Sequence, residues 1–347
     1  MPRRLNPPAQ LILLSVAALA IVGSVGCSSN PVDTPPPTID PARAAVSPPV
    51  TAAPPGTVRP LAGQAQAAVF DKATGSLVVL TPGAGDRSVA TVVAATGAAA
   101  PVELDGAATS MAGAGDGEVF MSTRGGYFRF DIASRTVSRI GVEGQDGVDF
   151  TALARRADGR LVLGSADGAV YTLASDTAVG ARLKIFARVD SIVTQGNTAV
   201  VLDRGQTSVT SLNADGTASE HALRAGRGAT TMAADPAGRV LVADTRGGEL
   251  LVYGVDPLIL RQRFPVRDSP YGLAAAGNAT GLVWVAQTAT NTVVGYDLAT
   301  GIPVEKVRYR TVQQPNTLAF DDASGTLYVV SGSGAGVQVI TSAGAAK

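Results

Sequence analysis

The sequence predicts an all-β protein, a seven-bladed β-propeller of four-stranded blades, from three observations. A Gly-bounded turn recurs along the chain at intervals of 37 to 44 residues. A short run of apolar residues follows each turn, and a regular spacing near 40 residues is typical of propeller blades. No apolar pattern of helical period lasts long enough to compete. The seven turn glycines are Gly75, Gly117, Gly159, Gly196, Gly238, Gly281 and Gly325.

Each repeat predicts the same unit of structure. An apolar anchor such as Met232 is followed about six residues later by the turn, here Gly238, and then by a β-run, here 239–242. One blade cannot bury both of its faces alone, so seven must stack around an axis. Few residues follow the last β-run, so the last blade lacks an outer strand, and we expect residues near 57–61 to supply it. The ring, residues 57–347, is then closed by pairing of the N- and C-terminal strands.

Composition excludes several classes of function. The 347 residues contain 28 Lys and Arg against 28 Asp and Glu, so no basic excess exists to neutralise the phosphates of a nucleic acid. The single Cys excludes an intramolecular disulfide, and the single His, His221, excludes a His-rich metal site. No Gly-x-Ser-x-Gly turn and no phosphate-binding loop before a helix is recognisable. We therefore assign no catalytic residue and expect no cofactor.

The N-terminus has the layout of an export signal over residues 1–26. Two arginines precede the apolar run 11–22, which is too short to span a membrane comfortably. Small residues follow and end at Cys27. This arrangement resembles the lipobox of bacterial lipoproteins, in which the Cys becomes the lipidated first residue, although Ser24 stands where that family prefers Leu. The alternative is an ordinary signal, cut near Cys27, that leaves a free thiol.

Residues 27–56 are expected to be a proline-rich tether. Ten of the 21 prolines fall within residues 28–60, and runs of proline favour extended conformations that cannot form a packed core. A semi-rigid spacer of this length reaches on the order of 90 Å. Whether the tether is semi-rigid or disordered, it holds the folded domain away from the bilayer. Lipidated at Cys27, the protein is expected to be exported and anchored at the outer face of the cell membrane.

Short polar residues recur two positions before five of the seven apolar anchors, where the innermost strands begin, and Tyr271 adds an aromatic ring. In a propeller these positions surround one mouth of the central channel, where a ligand can bind. Alternatively, short polar side chains near the axis only satisfy backbone groups and channel water. Both interpretations stay open for this set, which we call the mouth column: Ala67, Thr109, Thr151, Asp190, Thr230, Tyr271 and Asn316.

A second column consists of arginines after the second strand of three blades. Arg124, Arg204 and Arg246 each precede a glycine, and their loops are expected on the same face as the mouth column. A guanidinium group binds carboxylate or phosphate through two parallel hydrogen bonds, so the column predicts an anion-binding face. The alternative is a solvated turn residue that pairs with Asp203 or Asp244 nearby.

The repeat resembles those of the NHL and YncE-like propellers. Residues 270–274 (PYGLA) and 315–321 (PNTLAFD) are similar to the opening motif of those repeats, and 326–330 (TLYVV) to the strand that follows it. With the lipobox and the proline spacer, the whole layout is similar to the LppL type of conserved mycobacterial lipoprotein. The resemblance implies a lipid-anchored envelope propeller without an assigned reaction, because a fold alone does not determine a function.

Three functions are compatible with these residues: a binding module, a metal-dependent hydrolase or lyase, and a spacer or coat protein with no ligand. The first is a binding module, held at the membrane by its anchor, that contacts an envelope protein, a glycolipid or a cell-wall polymer through Tyr271 and the three arginines. The second is a metal-dependent hydrolase or lyase. Lactonase-like propellers hold a divalent metal with Glu, Asn and Asp at the channel, and Asp190 and Asn316 could be two such ligands. No Glu occupies the mouth column, so this ligand set is incomplete.

Overall fold

The computed structural model describes residues 36–277 and 281–344, and within them every regular element is a β-strand. The first fourteen strands are β1 (Thr57–Arg59), β2 (Ala67–Asp71), β3 (Ser76–Pro82), β4 (Ser88–Val93), β5 (Ala99–Leu104), β6 (Ser110–Gly113), β7 (Glu118–Thr123), β8 (Gly126–Asp131), β9 (Thr136–Gly141), β10 (Phe150–Arg155), β11 (Leu161–Ser165), β12 (Ala169–Leu173), β13 (Val179–Lys184) and β14 (Ser191–Gln195). The remaining strands are β15 (Thr198–Asp203), β16 (Ser208–Leu212), β17 (Ser219–Arg224), β18 (Ala229–Asp235), β19 (Arg239–Asp244), β20 (Glu249–Val255), β21 (Leu258–Pro265), β22 (Pro270–Ala275), β23 (Leu282–Gln287), β24 (Thr292–Asp297), β25 (Val304–Arg310), β26 (Pro315–Asp321), β27 (Thr326–Ser331) and β28 (Val337–Ile340).

These strands form seven antiparallel four-stranded sheets, which confirms the predicted seven-bladed β-propeller. Blades 1 to 6 each contain four consecutive strands, beginning with β2, and blade 7 has the order β26, β27, β28, β1. In blade 7, Thr57 lies opposite Val339 and Arg59 lies opposite Val337. The predicted closure by the two chain ends is therefore confirmed. The innermost strands contact one another in ring order, and β2 lies against β26.

Burial decreases from the second strand of each blade to its outer edge. Second strands such as β7 and β27 are buried along almost their whole length, because adjacent blades cover both of their faces. The outermost strands β9, β17 and β25 are mostly exposed. An apolar cluster fills each junction between blades among the described residues. Trp284, the single Trp, is fully buried in the cluster between blades 6 and 7.

The seven turn glycines lie between the first and second strands of their blades. Their φ angles fall between 58° and 97°, a left-handed conformation in which a Cβ atom is strained. The turn therefore favours glycine at each of these positions. The spacing seen in the sequence is the spacing of the first hairpin in successive blades.

Residues 36–56, which we call the strap, form no regular element and lie against the propeller. The Ile39 amide donates to the Gly205 carbonyl at 2.8 Å, and Ser47 is only 4% exposed. Over these residues the proline-rich segment is bound to the ring instead of being a free spacer. Proline lacks a backbone N–H group, so it cannot donate the hydrogen bonds that add a strand to a β-sheet. The carbonyls of such a segment still accept hydrogen bonds from loop side chains.

The predicted export signal, Cys27 and the tether up to residue 35 lie outside the described residues. Within those described, no helix has the length and apolar character needed to cross a membrane.

Candidate functional site

A cavity of about 650 Å³ opens at one mouth of the central channel, where the innermost strands begin. We call it the central cavity. Six of the seven mouth-column positions line it, and one residue of the arginine column, Arg204, joins them. The loops between second and third strands emerge on this same face, so the two predicted columns meet there. The mouth-column residues that line the cavity are Ala67, Thr109, Asp190, Thr230, Tyr271 and Asn316.

Three predicted residues do not line the central cavity. Thr151 is 8% exposed and lies instead beside a second cavity, of about 510 Å³, between blades 2 and 3. Arg124 lines that second cavity too. Arg246 lies against the strap. The mouth column therefore lines the central cavity in six blades but not in blade 3. There the Thr151 hydroxyl is directed into the junction with blade 4.

The column threonines link neighbouring blades. The hydroxyls of Thr109 and Thr151 donate to a carbonyl in the next blade, and Thr230 reaches such a carbonyl through the Thr245 hydroxyl of its own blade. In each case that carbonyl immediately precedes the next column residue. Because the hydroxyl proton is used in this way, the structural interpretation fits the threonines better than the ligand-binding one. The bonds run from Thr109 to Phe150 (2.7 Å), from Thr151 to Val189 (2.5 Å), and from Thr230 through Thr245 to Pro270 (2.6 Å for each step).

Asp190 interrupts this series in blade 4, because an ionised carboxylate has no proton to donate. Its Oδ2 accepts the Arg204 amide at 2.8 Å, and its Oδ1 lies 3.3 Å from Arg188 Nε. The side chain is 12% exposed. Burial raises the pKa of the carboxyl, and the Arg204 amide and the two guanidinium groups oppose that rise. Asp190 is therefore an acceptor at the edge of the cavity, held between two cations.

Arg204 lies between the central cavity and the strap. One of its terminal nitrogens, Nη2, donates to the carbonyl of Ala42 in the strap. Its Nε is buried, and no acceptor for it exists among the described residues. The guanidinium is therefore fixed to the strap on one side, while its buried Nε–H group stays unpaired.

Tyr271 and Asn316 supply an aromatic ring and a carboxamide from blades 6 and 7. Within residues 36–277 and 281–344 the Tyr271 hydroxyl has no hydrogen-bond partner, and its side chain is half-buried. Asn316 Oδ1 accepts a bond of 3.0 Å from Gln314 Nε2, whereas no acceptor for Asn316 Nδ2 lies in that same part of the chain. Both residues therefore present unused polar atoms at the cavity.

The arginine column does not form one anion-binding face. Arg124 lies 3.2 Å from Asp149 and is 66% exposed. Arg246 donates to the carbonyl of Asp40 in the strap at 2.6 Å. Two of the three arginines, Arg204 and Arg246, thus bind strap carbonyls. A backbone segment of the same chain occupies donors that the sequence suggested for an external anion.

The alternative partners proposed for these arginines are engaged elsewhere. Asp203 accepts the amides of Ala187 and Gln206, and Asp244 accepts those of Gly228 and Gly247, all at 2.8 to 2.9 Å. Both carboxylates are fully buried. They stabilise the loops around them instead of pairing with the arginines.

The geometry gives little support to a metal centre. No group of three His, Cys, Asp or Glu side chains that could hold a metal ion occurs in the described ranges. Asp190 and Asn316 both line the cavity, but they come from blades 4 and 7. Nitrogen donors face both oxygens of Asp190, whereas Ca²⁺ takes six to eight oxygen ligands.

Two important residues of this face were not identified from the sequence. Gln314 accepts the Ser47 amide at 2.9 Å and donates to the Ala45 carbonyl at 2.9 Å. Ser47 donates to the Thr288 carbonyl at 2.6 Å. The paired glutamines before the residue 315 repeat motif were a weak signal. Gln314 and its partner Ser47 lie 267 positions apart along the chain, and no local pattern shows that contact.

Comparison with known proteins adds information on the fold. No protein-family model matches the sequence, and no curated protein matches it significantly. A solved chain of the mitotic checkpoint complex is similar with a TM-score of 0.68 and 11% identity, covering 88% of this chain and 99% of that one. A streptogramin B lyase structure has a TM-score of 0.66 and 10% identity over 82% and 97% of the two chains. Kuenenia stuttgartiensis hydrazine synthase has a TM-score of 0.65 and 13% identity over 83% and 98%. At these identities the likenesses show that the chain has the β-propeller fold, and they show nothing further.

Proposed function

We propose that this protein is a lipid-anchored binding module of the cell envelope, with its ligand site in the central cavity. The unequal use of the mouth column is the observation on which the proposal rests. The threonines give their hydroxyl protons to neighbouring blades. Asp190, Arg204, Tyr271 and Asn316 instead bring a carboxylate, a guanidinium group, a phenol ring and a carboxamide to one cavity. Convergent polar groups in a concave site are typical of ligand binding.

The chemistry of the cavity favours a neutral ligand rich in hydroxyl groups. Asp190 can accept hydrogen bonds, Arg204 and Asn316 can donate them, and the Tyr271 ring offers an apolar plane. Sugar rings combine hydroxyl groups with apolar C–H faces. We therefore propose the glycan part of an envelope glycolipid or a cell-wall polymer as ligand, ahead of an envelope protein.

The proposed location rests on the sequence. Lipidation of Cys27 at the end of the export signal anchors the chain at the outer face of the membrane. The resemblance to NHL and YncE-like repeats and to the LppL type of envelope lipoprotein supports this proposal. So does the balance of charges, which gives a nucleic acid no basic surface to bind.

A photo-crosslinking amino acid at Tyr271 of the full-length protein, in its native envelope, tests the proposal. We expect a discrete glycolipid or polymer adduct, and we expect Asp190→Ala to reduce its yield at least tenfold. The matched control places the same crosslinker at Ser134, which is exposed in the β8–β9 turn at the opposite face. Equal adducts from both positions, or a discrete adduct from Ser134 alone, would contradict the proposed site. A small-metabolite adduct would favour the enzyme instead.

A further inference from the structure

We propose that the strap is a positioning element of the central cavity, so that strap docking and the geometry of the ligand site form one coupled equilibrium. The structural half of this inference concerns the ligand-free protein. Its consequence for binding rests on the proposed function. Two side chains, Arg204 and Gln314, make the connection, and each contacts the strap directly.

The first connection passes through Arg204. Its backbone amide donates to Asp190 Oδ2 at 2.8 Å, while its guanidinium donates to Ala42 in the strap. Ala42 is 5% exposed, so this end of the strap is buried against the ring. Since the unpartnered Nε adjoins the donor that binds Ala42, release of the strap frees the whole guanidinium to change rotamer. The orientation of the Arg204 guanidinium, whose residue lines the cavity, therefore depends on the strap.

The second connection passes through Gln314. Its Nε2 donates both to the Ala45 carbonyl, at 2.9 Å, and to Asn316 Oδ1, at 3.0 Å. A carboxamide nitrogen has two protons, so these two bonds together fix its orientation. The bond to Asn316 also fixes which atom of that side chain is left unpaired. The strap thereby holds the Asn316 Nδ2 donor available.

Ser47 is the main contact that holds this part of the strap. Its Oγ donates to the Thr288 carbonyl at 2.6 Å and accepts the Gln314 amide at 3.1 Å. Its own amide donates to Gln314 Oε1. The next residue continues the attachment, because the Pro48 carbonyl accepts from Asn291 Nδ2 at 2.7 Å. Removing the Ser47 hydroxyl takes its donor from the buried Thr288 carbonyl, which weakens docking, while the Gln314 amide keeps its bond of 3.0 Å to Asn291 Oδ1.

Coupling of this kind is reciprocal. If docking of the strap improves ligand affinity by some factor, then a bound ligand stabilises the docked strap by the same factor. The strap is also the described segment nearest in sequence to Cys27.

The test compares Ser47→Ala with Thr51→Ala, since Thr51 is an exposed strap residue whose hydroxyl makes no hydrogen bond within the described residues. Nuclear magnetic resonance follows three signals in the ligand-free protein: the strap amides, the Arg204 Nε–H group and the Asn316 side-chain amide. In Ser47→Ala we expect hydrogen exchange of the strap amides and of Arg204 Nε to accelerate about tenfold, as the loss of the buried Ser47–Thr288 hydrogen bond implies. The Asn316 signals should shift, and Thr51→Ala should change none of these.

Two outcomes would overturn the inference. In the first, the strap amides exchange faster while Arg204 and Asn316 stay unchanged, so that docking and site geometry are independent. In the second, Ser47→Arg, whose side chain cannot fit a site that is 4% exposed, also leaves the strap protected. Ser47 would then not hold the strap.

The consequence for binding uses the Tyr271 crosslinker in the same variants. We expect Ser47→Ala to lower the yield of the adduct about tenfold and Thr51→Ala to leave it unchanged. An equal yield in both variants, with the strap released, would overturn coupling to the ligand. Absence of any adduct in the unmodified protein would instead contradict the proposed function, while the resonance measurements would still decide the structural coupling.

Discussion

The mouth face has a bare half, blades 1 to 3, and a half covered by the strap, blades 4 to 7, and the same repeat positions serve different purposes in the two. In the bare half, Arg124 pairs with Asp149 and stays largely in solvent. In the covered half, Arg204 and Arg246 bind strap carbonyls. Column threonines link blades in both halves, Thr109 and Thr151 in the bare half and Thr230 in the covered half, whereas Asp190 at the start of the covered half cannot.

This difference shows what the repeat controls. The three arginines occupy equivalent loops, since each loop follows the second strand of its blade. The repeat does not supply the partner, which comes from a neighbouring loop in one half and from the N-terminal segment in the other. The role of a repeated residue is therefore decided by what packs on it from outside the repeat.

The largest difference between the halves should appear in Arg204→Ala. The variant loses the bond to the Ala42 carbonyl and the cation beside Asp190. Hydrogen bonds to charged groups contribute about 1.5–3 kcal/mol, so we expect the free energy of unfolding to fall by about 2 kcal/mol. Urea denaturation measures this loss. A value as small as that of Arg124→Ala would remove the distinction between the two halves.

Thr109→Val tests the structural role of the column in the bare half. The variant leaves the Phe150 carbonyl without the hydroxyl that bonds it at 2.7 Å. We expect a loss of about 1 kcal/mol, the usual contribution of such a bond, with unchanged capture at Tyr271. Thr109→Ser keeps the hydroxyl and should restore stability in thermal denaturation. Reduced capture by Thr109→Val would place this threonine in the ligand site.

The pH dependence of stability distinguishes Asp190 from the threonines. Burial raises its pKa, so the ionised carboxyl is less favourable in the folded state than in the unfolded one. This cost is absent in acid and grows as the pH rises through the raised pKa. Asp190→Asn should therefore be slightly more stable than the parent at pH 7, by less than about 1 kcal/mol.

The difference in melting temperature between the two proteins, followed from pH 7 downwards, checks this sign. The difference should shrink as the pH falls. It should vanish once the Asp190 carboxyl of the parent is protonated in both the folded and the unfolded state. A difference that grows in acid would contradict the raised pKa.

The smallest effect is expected for Arg124→Ala. The pair with Asp149 is exposed on both sides, and exposed ion pairs contribute about 0.2–1 kcal/mol at most. We expect a loss near the lower limit that disappears in 1 M salt, because salt screens charges in solvent. A large loss that resists salt would indicate that Arg124 has a buried role like that of Arg204.

Much of the candidate site could be predicted, but its members could not be ranked. The positions before Met111, Ile192, Met232 and other anchors indicated which side chains converge. The same pattern gave equal weight to Thr109 and Asn316. Only the hydrogen bonds separate them, because the carbonyl that accepts from Thr109 belongs to the next blade. Thr151 was misplaced since no local signal shows that its hydroxyl faces the junction with blade 4.

The sequence by itself determined the number of blades, their four-stranded form and the closure of the ring. These properties follow from local turns, in which Gly75 and its equivalents adopt left-handed φ angles. They also follow from the regular spacing of these turns along the chain. Only the tertiary structure decided the course of the strap. Its hydrogen-bond partners lie 162 to 283 positions away along the chain. Contacts of that kind depend on which loops the closed ring brings together, and proline-rich composition indicates only that the segment is extended.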